Sequence, residues 1–260
     1  MLLAKSSINT SIETRGLLWR VLDWVFPPFC CGCGQIGEEI CPACWESIRL
    51  LSGQLTCVTC GKLIERGSLC PNCQTDPPTY DQLKSWALYE GAVRSMVTGI
   101  KFERKLGLIP YLVKPITSAI STWEPKVDWI TAVPLGRRRQ HERGYNQSAL
   151  IAEKVAAKLK IPYSNELLIR VRETHSQVGL NADERRQNMV NAFTADPAFC
   201  RGKAVLLIDD IATTGATLNA CAKALHAAEA EKIFCFTVAR TDHHPISNPI
   251  FTEVSNERQS

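Results

Sequence analysis

The chain has 260 residues, 45% of them hydrophobic and 22% charged with both signs interspersed, a balance that exceeds one ordinary domain and excludes wholesale disorder. Its formal charge of +4 counts twelve cysteines as neutral. If eight are thiolates on two zinc ions, eight charges are removed and four returned, which excludes recognition of nucleic acid by overall charge and leaves only local basic patches to support it.

Within residues 1–28, the apolar stretch from Leu17 to Phe26 is interrupted by Arg20 and Asp23 and has no small-residue cleavage site, so it lacks the layout of a signal peptide. It is also too short for a bilayer, which takes about 20 apolar residues. Leu18, Leu22 and Val25 follow the i, i+4, i+7 spacing of an amphipathic helix, expected to dock on the protein's own core. The resulting expectation is a cytoplasmic chain without a transmembrane segment.

Residues 29–76 are set apart by cysteine. Nine of the twelve fall between Cys30 and Cys73, and eight form the C-x-x-C pairs Cys30/Cys33, Cys41/Cys44, Cys57/Cys60 and Cys70/Cys73. The pairs repeat: Cys30 and Cys33 precede Gly34 as Cys57 and Cys60 precede Gly61, and Cys41-Pro42 matches Cys70-Pro71. A C-x-x-C turn brings two sulfurs to a tetrahedral metal at about 2.3 Å, the glycine after it lets the chain fold back beneath the ion, and two turns close a four-cysteine site. A segment this short, with few large apolar side chains, takes its missing folding free energy from two structural zinc ions. A disulfide framework conflicts with a reducing compartment, and no C-x-x-C here opens a helix beside a βαβ unit as a redox motif requires. The repeat favours zinc ligands that pair within each copy.

From the stiff boundary Asp76-Pro77-Pro78, residues 77–240 change to alternating apolar runs and amphipathic helices. Strands are predicted over Ser85 to Tyr89, Val127 to Val133, Leu167 to Val171, Lys203 to Ile208 and Ile233 to Val238. Helices are predicted over Ala92 to Phe102, Asn146 to Leu159, Ala182 to Ala192 and Thr217 to Ala228. This alternation predicts an α/β fold with a parallel sheet covered on both faces. Residues 241–260 are expected to form a flexible tail.

The segment Val205 to Thr217 carries the most specific signal. Its apolar run to Ile208 predicts a central strand, whose carboxyl end is where ligands bind in open α/β sheets. Asp209 and Asp210 can accept hydrogen bonds from sugar hydroxyls. The turn Ile211, Ala212, Thr213, Thr214, Gly215, Ala216 and Thr217 then leads into a helix N-terminus, where free amides and the helix dipole favour a phosphate, threonine hydroxyls add donors, and Gly215 admits the ligand closely. No G-K-[ST] follows, which excludes a Walker A loop, and G-x-G-x-x-G is absent.

These residues closely resemble the phosphoribosyl pyrophosphate loop of type I phosphoribosyltransferases, an apolar strand, two acids, then T-T-G-x-T. Zinc ribbons followed by this loop resemble the ComF family of competence-associated proteins over nearly the whole chain. The resemblance implies a type I phosphoribosyltransferase-like parallel sheet flanked by helices and preceded by a small double zinc-ribbon module. It also implies a pyrophosphate loop at Leu135, Gly136, Arg137, Arg138 and Arg139, continuing through Arg143-Gly144-Tyr145-Asn146-Gln147, where guanidiniums can meet a diphosphate with paired hydrogen bonds. A third family block matches Arg170, Arg172, Thr174, Gln177, Leu180, Arg185, Asn188 and Phe193, where the superfamily's mobile catalytic loop lies. Arg94, Lys101 and Arg104 match a further stretch without a stated role.

The chemistry so implied is displacement of pyrophosphate from ribose C1 by a nitrogen nucleophile, with Mg²⁺ on the diphosphate and the two aspartates on the ribose. The acceptor and the general base are not named by the sequence. Family resemblance implies a role in DNA uptake or use of external DNA, with uptake proteins as partners. Two function classes stay open: an active phosphoribosyltransferase, or a non-catalytic nucleotide-sensing or single-stranded-DNA-binding module that keeps the pocket. The DNA reading rests on Arg137 to Arg143, with Lys62 and Arg66 of the ribbons, and lacks the interleaved aromatic residues of a stacking platform.

Overall fold

The computed structural model describes residues 27–172 and 191–242. The predicted helix at Leu17 to Phe26, most of that at Ala182 to Ala192, the loop residues Thr174, Gln177 and Arg185, and the tail beyond Asp242 lie outside the described residues. The described strands are β1 (Gln82–Leu88), β2 (Trp129–Ala132), β3 (Leu168–Arg170), β4 (Phe193–Ala195), β5 (Ala204–Ala212) and β6 (Lys232–Arg240). The helices are α1 (Pro42–Glu46), α2 (Pro71–Thr75), α3 (Gly91–Phe102), α4 (Ile109–Trp123), α5 (Arg137–Arg143), α6 (Gln147–Leu159), α7 (Pro197–Cys200) and α8 (Ala216–Ala227).

Strands β1, β6, β5 and β2, in that order, form one parallel sheet. The apolar run of β5 puts it at the centre: Val205, Leu206, Leu207 and Ile208 are wholly buried, each burial stabilising by roughly 1.5–3 kcal/mol. Alternation along the strand then divides the core. Leu206 and Ile208 join Phe236 and Val238 against buried residues of α3, α4 and α6, while Val205 and Leu207 join Ile233 and Cys235 against α8. Both faces are covered, as a parallel sheet requires.

Four local readings change. The central strand does not stop at Ile208 but carries both acids to Ala212, because β6 keeps pairing with it through Asp209 with Thr237 and Ile211 with Ala239. The strand predicted at Leu167 to Val171 stays out of the parallel sheet; β3 pairs antiparallel with β4, burying Leu168 and leaving Ile169 and Val171 exposed, as an alternating half-buried strand does. Helix α4 has no counterpart among the predicted elements, since Pro110, Pro115 and several β-branched residues blur its period. In the fold Pro110 sits in the first turn, where no N–H is needed, and Leu112, Val113, Ile116 and Ile120 form the buried stripe. The arginine-rich loop is a short helix, α5, opened by Gly136 and closed by Gly144 at φ 80°.

The cysteine-rich segment packs on this sheet rather than apart from it. Leu51 N–H donates to Trp86 O at 3.0 Å, Leu88 N–H to Arg49 O at 2.9 Å and Leu83 N–H to Thr59 O at 2.7 Å, so the outer edge of β1 is paired along its length. Ile40 and Cys41 enter the same apolar cluster as α3 and α4, and the Trp45 ring lies 5.8 Å from Trp86. Arg240 at the end of β6 donates to Cys60 O at 2.7 Å.

Gly61 marks the tightest approach. Its φ is +69°, and a Cβ there would lie 2.6 Å from Leu83 O. Gly61→Ala is therefore expected to destabilise the chain by about 2 kcal/mol, from left-handed strain plus displacement of β1 backbone. Thermal unfolding should show a fall of roughly 4–8 °C while zinc content stays unchanged; an unaltered midpoint would mean that the second ribbon does not seat on β1.

Candidate functional site

The two cysteine sets close within each repeat. Cys30, Cys33, Cys41 and Cys44 place their sulfurs within 4.8 Å of one another, and Cys57, Cys60, Cys70 and Cys73 do the same. The Cys33–Cys41 and Cys60–Cys70 sulfur pairs are 3.7 and 3.6 Å apart. A tetrahedron with Zn–S bonds of about 2.3 Å has edges of about 3.8 Å, so the donor sets fit zinc. The same backbone builds each: Gly34 N–H donates to Cys30 O and Gly61 N–H to Cys57 O, both at 2.8 Å, with φ of +79° and +69° at the glycines. Cys41 and Cys70 each precede a proline-initiated helix, α1 and α2. Cys41 N–H also donates to Cys30 Sγ at 3.3 Å, favouring the thiolate. Four thiolates leave no open ligand position, so these centres are structural.

At the carboxyl end of β5, the corner Arg143-Gly144-Tyr145-Asn146-Gln147 arranges the acid pair. Gly144 in the left-handed region ends α5 and turns the chain. Tyr145 Oη donates to Ile100 O, fixing the corner to the end of α3. Asn146 caps α6, its Oδ1 accepting from Ser148 N–H at 3.1 Å and Ala149 N–H at 3.4 Å, while its Nδ2 donates to Val133 O at 2.9 Å beyond β2. That cap aims the first turn of α6 at the acids: Gln147 Nε2 donates to Asp210 Oδ2, and Ser148 Oγ to Asp209 Oδ1 at 2.9 Å. Lys101 Nζ pairs with Asp210 Oδ1 at 2.9 Å, and Arg143 donates to Gln147 Oε1.

The acids differ in surroundings. Asp210 is 5% exposed. Asp209 is half-buried and lines a shallow open recess with Ile211, Ala212, Thr213, Thr214, Gly215, Ala216 and Thr217. Burial, with neighbouring Asp210 second, pushes its carboxyl up to about 7. Gly215 stands at φ +79° as the N-cap of α8, and Thr214 Oγ1 accepts from Ala216 N–H at 3.3 Å. Behind the turn lies Tyr80, whose hydroxyl would be 3.2 Å from a Cβ at 215. The adjacent Thr79 N–H donates to Asn219 Oδ1 at 2.7 Å, so the segment leading from the second ribbon braces α8.

A second recess opens by the end of α3, lined by Lys101, Phe102, Arg104, Arg139, Glu142 and Arg143. Leu135 and Gly136 sit beyond β2, next to the end of β5, but the exposed Arg137 and Arg138 line neither recess, and Arg138 pairs with Glu142 at 3.0 Å. The aromatic side chain that the sequence did not provide here comes from α3: Phe102 is 72% exposed, with the Arg143 guanidinium 5.5 Å from its ring centre. Ser148, Phe102 and Tyr80 are the site residues that sequence reasoning missed, while Lys101 and Gln147 were quoted without the contacts they make to Asp210. Gln147 stood within the quoted corner, whereas Tyr80 carried no local signal.

Two closed four-cysteine ribbons seated on a parallel sheet whose central strand ends in an acid pair and a threonine turn define the class: a double zinc ribbon joined to a phosphoribosyltransferase-type domain. The sequence matches agree. Residues 21–74 match the double zinc ribbon domain family, and residues 146–254 the phosphoribosyl transferase domain family. The chain is 32% identical to competence protein F of Haemophilus influenzae over 213 residues, 77% of this chain and 90% of that protein. It is 30% identical to the DNA utilization protein YhgH of Salmonella typhi over 208 residues, 78% of this chain and 90% of that one. The chain belongs to the family of these proteins. Among solved structures, the adenine phosphoribosyltransferase of Thermoanaerobacter pseudethanolicus is similar at TM-score 0.34 and 17% identity, covering 53% of this chain and 82% of that one.

The pairing of ligands predicts zinc counts. Cys44→Ser and Cys73→Ser should each leave one tightly held ion per chain, as should Cys30→Ser/Cys44→Ser, whereas Cys44→Ser/Cys73→Ser should leave none. Elemental analysis after dialysis against chelator reads this directly; one ion surviving in the last variant would show that ligands are shared between repeats.

Proposed function

We propose that this chain binds phosphoribosyl pyrophosphate with Mg²⁺ and serves DNA uptake or the use of external DNA. The observation that carries the reading is the turn after the acid pair, a glycine-containing bend at the end of a central strand that opens the N-terminus of α8 beside Asp209. Amides of 213–217 would hold the sugar 5-phosphate through several short hydrogen bonds reinforced by the helix dipole. Asp209 and Asp210 are assigned to the ribose, and Leu135, Gly136 and the arginines of α5 to the diphosphate. A Mg²⁺ bound with this substrate would ride on the substrate's own oxygens and on water. Bound there, it would neutralise charge on the leaving diphosphate.

In the transferase reading, the C1–O bond to diphosphate breaks, a bond from C1 to an acceptor nitrogen forms, and that nitrogen gives up its proton. The acid pair would hold the sugar through the charge that develops on it. The relatives' names, competence protein F and DNA utilization protein, support placing the activity in DNA handling. Calorimetric titration with the ligand and Mg²⁺, followed by a pyrophosphate-release assay against nucleobases and DNA, tests the proposal. Binding is expected in wild type and absent in Asp209→Asn/Asp210→Asn, with zinc content unchanged. Release with a nitrogen acceptor supports the transferase; binding without release in any mixture supports a sensing module.

A second reading, contact with single-stranded DNA, gains support from Phe102 beside Arg104, Arg139 and Arg143, a flat apolar ring among cations. Stacking of a base is worth roughly 1–3 kcal/mol. Phe102→Ala should accordingly weaken single-strand retention by roughly 5- to 150-fold with its salt dependence unchanged, while Arg139→Ala should reduce that dependence. Undetectable or salt-independent retention by wild type would remove this reading.

A further inference from the structure

Arg240 ends β6 and is buried as thoroughly as the strand it ends, at 5% exposure. A guanidinium stays protonated wherever it is placed, so taking one out of water calls for an anion beside it. Lys101 meets the same demand with Asp210 at 2.9 Å. Arg240 meets it differently. Among the described residues its Nη1 donates to Cys60 O at 2.7 Å, no carboxylate pairs with it, and its buried Nε has no acceptor.

The carbonyl it reaches belongs to a metal ligand. Cys57, Cys60, Cys70 and Cys73 gather their sulfurs within 4.8 Å, and four thiolates around one divalent ion leave a net charge of two minus. The anion that no carboxylate supplies therefore stands beside the guanidinium. Tyr80 marks the same neighbourhood: burial, and Cys235 after it, push the pKa of its hydroxyl well up, and Cys60, Arg240 and Cys73 act on that hydroxyl as well.

The two centres differ in how far they need such a partner. In the first, Cys33 is exposed and Cys44 half-buried, so water reaches the thiolates and screens them. In the second, Cys57, Cys70 and Cys73 are only 1%, 3% and 8% exposed. A dianion buried that deeply calls for a cation in turn. Each of these two buried charges supplies what the other lacks.

Arg240 is also tied into the sheet on both sides. It stands in register with Leu88 of β1 and Ala212 of β5, its carbonyl accepts from Tyr89 N–H at 2.8 Å, and the next residue, Thr241, donates its N–H to Ala212 O at 3.0 Å. A charge fixed there joins the second knuckle to the carboxyl ends of three strands.

We propose that Arg240 is the buried counter-ion of the second zinc centre: its charge raises the affinity of that centre for its metal, and it secures the ribbon to the sheet only while the metal is in place. The proposal is independent of what binds at the threonine turn.

The test measures zinc affinity by chelator competition on full chains that keep one centre each, Cys30→Ser/Cys44→Ser for the second and Cys57→Ser/Cys73→Ser for the first. Adding Arg240→Met is expected to weaken the second centre by about tenfold or more and to leave the first within about threefold. Arg240→Lys, which retains the charge, should hold the second centre within about threefold, whereas Arg240→Gln, which retains only a donor for Cys60 O, should weaken it as Arg240→Met does. Equal weakening of both centres, or wild-type affinity in Arg240→Gln, overturns the proposal. Thermal unfolding adds a reversal that lost packing does not produce. Arg240→Met should lower the midpoint when the second centre holds zinc, and leave it unchanged or raise it in Cys57→Ser/Cys73→Ser, where the guanidinium is buried without its anion. A fall of the same size in both backgrounds overturns the proposal too. If Arg240→Met does not fold, Arg240→Gln carries both comparisons.

Discussion

The carboxyl end of the sheet is governed by one electrostatic constraint: two adjacent carboxylates sit on the central strand, whose preceding side chains are wholly buried. Taking such groups out of water costs several kcal/mol each unless donors replace the lost hydration. The donors come from separate elements. Lys101 comes from the last turn of α3, and Gln147 and Ser148 from the first turn of α6. Meeting that demand fixes where α6 begins, which fixes Asn146 as its cap, which in turn fastens the corner to Val133 and hence to β2. Arg143 at the end of α5 is placed by the same chain of contacts, through Gln147. Here a polar requirement, more than apolar packing, specifies the arrangement.

A different constraint shapes the opposite edge. β1 is the outermost strand of an open parallel sheet, and its unpaired backbone groups would invite another chain. The ribbons fill that edge with the segment around Arg49 and Leu51 and with the second C-x-x-C knuckle. Knuckles of this size cannot hold their shape by burial alone, so the free energy of metal binding also secures the partners of β1. The sheet and the ribbons are thereby parts of one cooperative structure, although their compositions differ sharply.

Sequence reasoning reached the features whose cause is local. A C-x-x-C turn followed by glycine bends readily around a metal, so both centres were legible; the repeat favoured pairing within each copy but did not fix it, and only the fold brings each set of four sulfurs together. The apolar run of β5 and the threonine turn into α8 were legible for the same reason, with helix and strand ends placed within a few residues. What stayed hidden depends on residues far apart in the chain. Lys101 and Asp210 are 109 positions apart and Thr79 and Asn219 are 140, and no periodicity links them. Helix α4 was hidden differently: two prolines mask a stripe that only burial reveals. The arginine corner stood out in the sequence, but not that its Asn146 and Gln147 also position the acid pair.

The two ribbons have the same internal hydrogen bonds but not the same surroundings, and this bears on how a metal site could matter to a ligand site it does not touch. The first ribbon contributes Ile40 and Cys41 to the core under α3 and α4, so its folding is tied to the face that carries Lys101. The second ribbon contributes little to either large core and forms a small cluster of its own. It is held by Thr59 to Leu83 and by Cys60 to Arg240, and the chain leaves it directly into Thr79 and Tyr80. Those two residues stand against Asn219 and Gly215, the first turn of the helix whose amides face the recess. Losing zinc from the second ribbon would therefore loosen the brace behind the threonine turn before it disturbed the acid pair. Losing it from the first would act through α3, on the Lys101 side. The two repeats build equivalent metal knots whose docking is unequal, the first against α3 and α4 and the second against β1 and the end of β6.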